Sequence, residues 1–232
     1  MFRSSVIKTS AFVNMLSLVG LSACGISYAA KPLPDPVVQA SAPAAKGTTE
    51  TAVLAGGCFW GVEAVFEHVK GVKDVVSGYS GGNAEAAKYD IVSSGRSGHA
   101  EAVRISFDPS QVSYGQLLKV FFSVAHDPTE LNRQGPDTGP QYRSAIFYAN
   151  EEQRRTAEAY IAQLQAAKIF PRAVVTQVAP LKAFYAAEAY HQDYLVNHPT
   201  QPYIVINDLP KVASLERQFP DLYVVKTSSG KQ

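Results

Sequence analysis

Residues 51–63 read TAVLAGGCFWGVE: an apolar run, a glycine pair, a single cysteine and the beginning of a helical pattern. The apolar run at 51–55 predicts a buried strand, and the two glycines predict a tight turn directly after it. Beyond the turn, apolar side chains recur at helical spacing at Val62, Val65, Phe66 and Val69. The stretch therefore predicts a strand, a turn and a helix at 58–69, with Cys58 in the first turn of that helix.

The rest of the chain alternates predicted strands and helices. Strands are predicted at 72–77, 100–107, 144–148 and 174–178. Helices are predicted at 113–124, 150–167 and 186–197. Two polar loops, 78–99 and 126–143, are far longer than the usual ~4–6 residues, so we expect them to build a site. This order predicts an α+β fold, a two-layer sandwich of one mixed sheet and packed helices with a split βαβ (ferredoxin-like) core.

Composition excludes several classes of protein. The chain has 232 residues, a formal charge of +1 and 46% hydrophobic residues, which excludes a disordered chain and gives no basic footprint for nucleic acid. Two cysteines, Cys24 and Cys58, are too few for a disulfide-stapled domain or an all-cysteine zinc site. The five histidines are dispersed without ligand spacing, so no metal site is expected.

The N-terminus is predicted to be an export signal at residues 1–29. It has two basic residues, an apolar stretch at 11–23 that is shorter than the ~20 residues of a membrane-spanning helix, and small residues after it. Two cleavage sites compete: ordinary cleavage after Ala29, and a lipobox in which Cys24 is acylated. We therefore expect a protein of the periplasm or envelope, attached to a membrane only through a lipid at Cys24. Both methionines, Met1 and Met15, lie in the signal.

Residues 30–49 are rich in proline and alanine and are predicted to form a semi-extended linker outside the core. Residues 50–232 are predicted to form a single domain that ends in an irregular C-terminal tail.

Cys58 is the candidate nucleophile. The free N–H groups and the positive end of the dipole at a helix N-terminus favour a thiolate, which predicts a lowered thiol pKa. The alternative is a buried cysteine that acts as a small hydrophobe. Such a cysteine needs neither the preceding glycines nor Trp60, the only tryptophan of the chain, two residues later.

Several motifs in order resemble a known family. They are GGCFWGVE at 56–63, GYSGG at 78–82, GHAEAV at 98–103, HDP at 126–128, RQG at 133–135, DTG at 137–139, QYRS at 141–144 and AEAYHQ at 187–192. Together they are similar to the class A peptide methionine sulfoxide reductases. The resemblance makes residues 50–232 a catalytic domain that reduces methionine S-sulfoxide, free or in oxidised proteins, to methionine.

The resemblance also implies roles for individual residues. It makes Cys58 the nucleophile, Glu101 the acid that protonates the sulfoxide oxygen, and Tyr142 and Tyr89 hydroxyl donors to that oxygen. It also implies four substrate-binding residues. Phe59 and Trp60 form the apolar pocket for the S-methyl group, and Asp137 and His191 lie near the substrate as well. A buried glutamic acid suits this chemistry, because burial raises a carboxyl pKa and the leaving oxygen needs a proton.

No cysteine follows Cys58. The resemblance therefore implies a one-cysteine enzyme without a bound cofactor. Its sulfenic acid would be reduced by an external thiol, either a small molecule or a thioredoxin-like protein. We expect it to act as a monomer.

Two other functions fit the sequence. Cys58 with His99 or His126 would make a cysteine hydrolase, provided that thiol and imidazole lie within hydrogen-bond reach. A non-catalytic envelope lipoprotein would use the aromatic residues to bind methionine-like side chains.

Overall fold

A computed structural model describes residue 1, residues 33–38 and residues 47–226. The remainder of the predicted export signal, Cys24 included, and most of the predicted linker lie outside the described residues.

A six-stranded mixed sheet forms the centre of the domain. Its strands are β1 (Glu50–Gly56), β2 (Val72–Ser80), β3 (Ala100–Phe107), β6 (Ser144–Tyr148), β7 (Gln177–Pro180) and β8 (Phe184–Ala186), in the order β7-β6-β1-β3-β2-β8. Only β6 and β7 pair in parallel; the other neighbours are antiparallel. Because β3 lies antiparallel between β1 and β2, these two strands run parallel to each other. A separate hairpin pairs β4 (Arg133–Gln134) with β5 (Asp137–Thr138) inside the predicted loop 126–143.

Helices complete the α+β fold. They are α1 (Phe59–Glu67), α2 (Tyr89–Val92), α3 (Tyr114–Val120), α4 (Glu151–Ala166), α5 (Tyr194–Asn197) and α6 (Leu209–Gln218). Ser113 begins α3 with a reciprocal capping box, and the Asn150 side chain caps α4 by accepting from the backbone of Gln153. None of the helices in the described part of the chain is long and apolar enough to span a bilayer.

The main core lies on one face of the sheet, under α1, α3 and α4. Side chains alternate across a strand, so Leu54, Val103 and Ile105 point to this core while Val53 and Ala102 belong to a smaller cluster. Phe66 on α1 is fully buried against the main core, and burial of such a side chain contributes about 1.5–3 kcal/mol. Glu101 and Val103 are two residues apart on β3, so their side chains lie on the same face of the sheet. The carboxyl group of Glu101 therefore lies on the face that the helices cover.

Part of the predicted linker belongs to the domain. Leu33 is 2% exposed and lies in the main core. The Tyr160 hydroxyl donates to the carbonyl of Pro34 at 2.9 Å, and the Gln163 side chain donates to the carbonyl of Asp35 at 2.9 Å. The prediction of a spacer outside the core is therefore wrong for residues 33–38, because α4 supplies both apolar surface and hydrogen-bond partners for them.

The last third of the chain differs most from the prediction. The helix predicted at 186–197 is instead β8, a single 3₁₀ turn and the short α5, because β8 pairs with β2. The strand predicted at 174–178 is shifted to Gln177–Pro180. The tail predicted to be irregular contains a π-helical turn, Ile204–Asp208, that continues into α6. α6 buries Val212 and Leu215, spaced by three residues, and packs against α1.

Candidate active site

Cys58 lies at the point where β1 turns into α1. It is the residue directly before α1, it is 8% exposed, and the first turn of α1 contains no acidic residue. Gly57 has a φ of 92°, and a Cβ there would lie 2.6 Å from the Cβ of Gln134. Only glycine combines this left-handed backbone with so little space. The turn between β1 and α1 that positions the Cys58 side chain therefore depends on Gly57.

The environment of Cys58 holds it as a thiol. Burial raises the pKa of Cys58 well above its ordinary value, and the carboxylates of Glu101 and Asp208 raise it further. The backbone N–H of Trp60 and the charge of Lys211 lower this pKa, but by less. The helix terminus acts in the predicted direction, but the prediction of a lowered pKa is wrong because desolvation outweighs it.

Glu101 lies beside the start of α1. It is 2% exposed, and its carboxylate accepts a hydrogen bond from the backbone N–H of Phe59 at 3.1 Å. Burial raises the pKa of Glu101 to about 8; the Phe59 N–H lowers it and the charge of Asp137 raises it. Glu101 is therefore mostly protonated at neutral pH and able to donate a proton next to Cys58.

Two tyrosines share this electrostatic environment. Tyr89 begins α2, and Tyr142 ends the 3₁₀ turn Pro140–Tyr142. The pKa of each hydroxyl is raised, first by burial and then by the charge of Glu101, with a further contribution from Cys58. Both tyrosines stay protonated at neutral pH and can serve as hydrogen-bond donors near the carboxyl and the thiol.

Aromatic rings surround Trp60. Its indole stacks on Tyr194 with ring centroids 3.7 Å apart and an interplanar angle of 5°, and it lies 6.5 Å from the ring of Phe59. The indole N–H donates to Nδ1 of His191 at 3.2 Å. An indole can only donate, so Nδ1 of His191 must accept and a neutral ring carries its proton on Nε2. Burial lowers the pKa of His191, which favours this neutral form.

A hydrogen bond from the C-terminal part of the chain fixes the side chain of Asp137. Its carboxylate accepts a hydrogen bond from the hydroxyl of Tyr203, whose ring lies edge-on to Trp60 with centroids 5.9 Å apart. Burial raises the pKa of Asp137, whereas the Tyr203 hydroxyl and the charge of Lys211 lower it. Tyr203 thus connects the predicted residues Asp137 and Trp60.

The motifs match known proteins over most of the domain. A family model described as peptide methionine sulfoxide reductase matches residues 50–222. The chain belongs to this family.

Individual members are similar over most of their length. The chain is 60% identical over 178 residues to peptide methionine sulfoxide reductase MsrA 2 of Mesorhizobium japonicum, covering 77% of this chain and 91% of that protein. It is 54% identical over 198 residues to MsrA 2 of Synechocystis, covering 84% and 92%. The structure of methionine sulfoxide reductase A of Corynebacterium diphtheriae matches with a TM-score of 0.58 and 36% identity, covering 73% of this chain and 85% of that one. Like them, this family member is an oxidoreductase acting on sulfur.

Neither histidine of the hydrolase alternative pairs with the thiol in this reductase-family fold. His99 accepts from the backbone N–H of Gly82 through Nδ1, and its Nε2 lies 2.8 Å from the carbonyl of Asn83. The Nδ1 atom of His126 lies 3.0 Å from the carbonyl of Phe121, and its Nε2 lies 2.7 Å from the Ser144 hydroxyl. With both ring nitrogens engaged elsewhere, each histidine supports a loop or strand and does not act as a base for Cys58.

Sequence reasoning missed part of the peptide methionine sulfoxide reductase site. Glu188 accepts from the Tyr79 hydroxyl at 2.8 Å and from the backbone N–H of Tyr89 at 3.0 Å, and so fixes the start of α2. Glu188 stands inside the quoted AEAYHQ motif, which could have drawn attention to it. Tyr203 and Lys211 stand in a segment predicted to be irregular, and no sequence signal marks them.

Proposed function

We propose that this chain reduces methionine S-sulfoxide, free or in oxidised proteins, to methionine. The observation that carries the proposal is the protonated Glu101, tied to the backbone of the residue next to Cys58. A sulfoxide loses its oxygen only if that oxygen is protonated, and a general acid beside the nucleophile supplies the proton. Family membership supports the same reaction.

The proposed reaction transfers oxygen to Cys58. The Cys58 sulfur attacks the sulfoxide sulfur as Glu101 gives its proton to the oxygen, and the thiol proton returns to Glu101. The sulfur–oxygen bond of the sulfoxide then breaks, and the oxygen leaves as hydroxide with the electron pair of that bond. Hydroxide attacks the Cys58 sulfur, the bond between Cys58 and the substrate sulfur breaks, methionine leaves with the electron pair of that bond, and Cys58 becomes a sulfenic acid. Methionine sulfoxide is reduced and Cys58 is oxidised by two electrons, without any external proton.

The surrounding side chains orient the substrate. The hydroxyls of Tyr89 and Tyr142 are donors to the oxygen, where they stabilise charge as the bond breaks. Phe59 and Trp60 form an apolar wall for the S-methyl group, and His191 holds the indole of Trp60. Because sulfur is chiral in the sulfoxide, fixing methyl and oxygen together selects one epimer, which we propose to be S.

Regeneration of Cys58 requires outside thiols. Among the described residues, Cys58 is the only cysteine, and it is free. One external thiol condenses with the sulfenic acid to a mixed disulfide and water, and a second thiol releases Cys58. We propose a small thiol or a thioredoxin-like protein as the donor.

Location and assembly are proposed from the sequence alone. The charged start, apolar stretch and small residues within 1–29 support export to the periplasm or envelope, with a lipid at Cys24 as the membrane anchor. We also propose that the protein is a monomer. Incorporation of a labelled fatty acid into the wild-type chain, but not into Cys24→Ala, is the expected result. Light scattering of the soluble domain tests the monomer.

The reaction is tested in a single turnover. With methionine S-sulfoxide and no reductant, the wild-type chain should form one methionine and a sulfenic acid on Cys58 that a dimedone-type reagent traps. Cys58→Ser should form neither. Hydrolysis of an ester without sulfoxide consumption would favour a hydrolase, and binding without turnover would favour a non-catalytic lipoprotein.

A further inference from the structure

A buried ion pair lies near Cys58 but outside the motifs of the family resemblance. Asp208 ends the π-helical turn Ile204–Asp208 and is 0% exposed, and Lys211 in α6 is 7% exposed. The Lys211 ammonium lies 3.2 Å from Oδ1 of Asp208. Burying two charges costs desolvation energy, and an apolar pair of similar volume often serves stability as well. The pair therefore calls for an explanation other than stability.

The pair rests directly on the first turn of α1. A Cβ added to Gly61 would lie 2.7 Å from Nζ of Lys211 and closer still to Oδ1 of Asp208. Gly61 follows Cys58 by three residues, within one helical turn. The missing side chain of Gly61 thus opens the space through which a cation from α6 reaches the turn that carries the thiol.

Both charges act on the thiol, in opposite directions. Lys211 lowers the pKa of Cys58 and Asp208 raises it. The other titratable groups around Cys58 are Glu101 from β3 and three tyrosines, Tyr89, Tyr142 and Tyr203. These are acids, so each can only add negative charge near the sulfur.

The cation also reaches neighbouring site groups. Burial raises the pKa of Asp137 and Lys211 acts against that rise, whereas burial lowers the pKa of His126 to about 4 with a smaller contribution from Lys211. Oδ2 of Asp208 is buried and receives no hydrogen bond from the described residues. Asp208 therefore holds the ammonium through one oxygen only.

We propose that Lys211 is a positioning residue for the reaction: its ammonium, held by Asp208 against Gly61, stabilises the negative charge that Cys58 carries as it attacks. Asp208 fixes the place of the ammonium and limits how much positive potential reaches the sulfur. This inference rests on the proposed role of Cys58 as the nucleophile.

The test measures the pH dependence of Cys58 alkylation by iodoacetamide, in a Cys24→Ser background so that one thiol reacts. Lys211→Met should raise the thiol pKa by about one unit, which lowers the thiolate fraction at fixed pH about tenfold. Lys211→Arg, which keeps the charge, should stay close to wild type. Asp208→Asn keeps a side-chain oxygen that can accept from the ammonium but removes the negative charge, so the thiol pKa should fall.

The opposite behaviour of the two variants separates charge from damage. Loss of packing would shift the thiol pKa of Cys58 in the same direction in Lys211→Met and Asp208→Asn. Loss of a positive charge in one variant and of a negative charge in the other shifts it in opposite directions. The proposal is wrong if Lys211→Met leaves the thiol pKa unchanged or lower, or if Asp208→Asn raises it. Lys211→Gln replaces the methionine variant if that variant does not fold.

Alkylation also requires no sulfoxide. A wild-type chain that fails to reduce methionine sulfoxide, but whose variants shift the thiol pKa as expected, would overturn the proposed function and not the effect of Lys211 on Cys58.

Discussion

The backbone N–H of Phe59 donates to the carboxylate of Glu101 at 3.1 Å, across 42 positions of sequence. The acid is thereby fixed to the residue that follows the nucleophile, through the main chain. A backbone donor has no rotamers, so the separation of the acid from Cys58 depends on how α1 packs on β3. The prediction that follows most directly concerns this carboxyl group.

Glu101→Gln should reduce the rate of sulfoxide reduction about 10²–10³-fold, within the range of general acid catalysis. The amide oxygen can still accept from Phe59, so the fold should survive while the proton donor is lost. Single-turnover formation of the Cys58 sulfenic acid measures this step without regeneration. A rate equal to wild type would contradict the role of Glu101 as the acid.

The reduction step should slow as the pH rises through about 8, the pKa of Glu101. Below that pH the carboxyl keeps the proton that the reaction needs; above it, the acid form is lost. The measurement is kcat/KM for methionine S-sulfoxide from pH 6 to 10, with a saturating reductant. Glu101→Gln should lack this inflection, and an inflection that persists in that variant belongs to another group.

Stability should fall as the pH rises from about 5 to 8. Burial raises the pKa of Glu63 from 4.5 to about 7 and that of Glu101 from 4.5 to about 8. In this window these two carboxyl groups bind more protons in the folded chain than in the unfolded chain, so their deprotonation favours unfolding. They outweigh His126, whose pKa burial lowers to about 4 and which acts in the opposite direction below pH 6.5. The urea midpoint should be higher at pH 5 than at pH 8, and Glu63→Gln should reduce the difference. A midpoint that rises toward pH 8 would show that other groups dominate.

Trp60→Phe should weaken substrate binding. It keeps an aromatic ring but removes the N–H that donates to His191 at 3.2 Å. One hydrogen bond contributes about 0.5–1.5 kcal/mol, so KM should rise about 2–10-fold. Tyr194→Phe is the control, because it keeps the ring that stacks on the indole. If KM rises more in Tyr194→Phe than in Trp60→Phe, the hydrogen bond to His191 is not what supports substrate binding.

Leu33→Ala should lower the free energy of unfolding by about 2–5 kcal/mol, as for other buried leucines. Leu33 is 2% exposed, whereas Val38, in the same segment, is 39% exposed. Val38→Ala should therefore change stability by about 0.5 kcal/mol or less. Equal effects in urea unfolding would mean that residues 33–38 do not dock in solution.

The sequence predicts the parts of the site whose signals are local. A strand, two glycines and a helix place Cys58, whereas Glu101 is supplied by the GHAEAV motif of the family resemblance. The family resemblance supplies Tyr89, Tyr142 and Asp137, and long loops are the expected place for them. The α+β class follows from the order of strands and helices.

Long-range packing supplies what the sequence does not reveal. Tyr203, Asp208 and Lys211 reach the site only because α6 packs on α1, and no local pattern encodes that contact. The thiol pKa of Cys58 depends on burial, which outweighs the helix terminus. Leu33 looks like a linker residue until the surface of α4 is present to cover it.

If Cys24 carries the proposed lipid, the docking of residues 33–38 limits how far the domain can move from the membrane. With a lipid on Cys24, only residues 25–32 join the anchor to the docked segment. Even fully extended, at ~3.3–3.6 Å per residue, they span less than about 30 Å. The docked segment shortens the free linker between the lipid and the domain. An anchored enzyme would therefore repair proteins only within a shallow layer next to the bilayer.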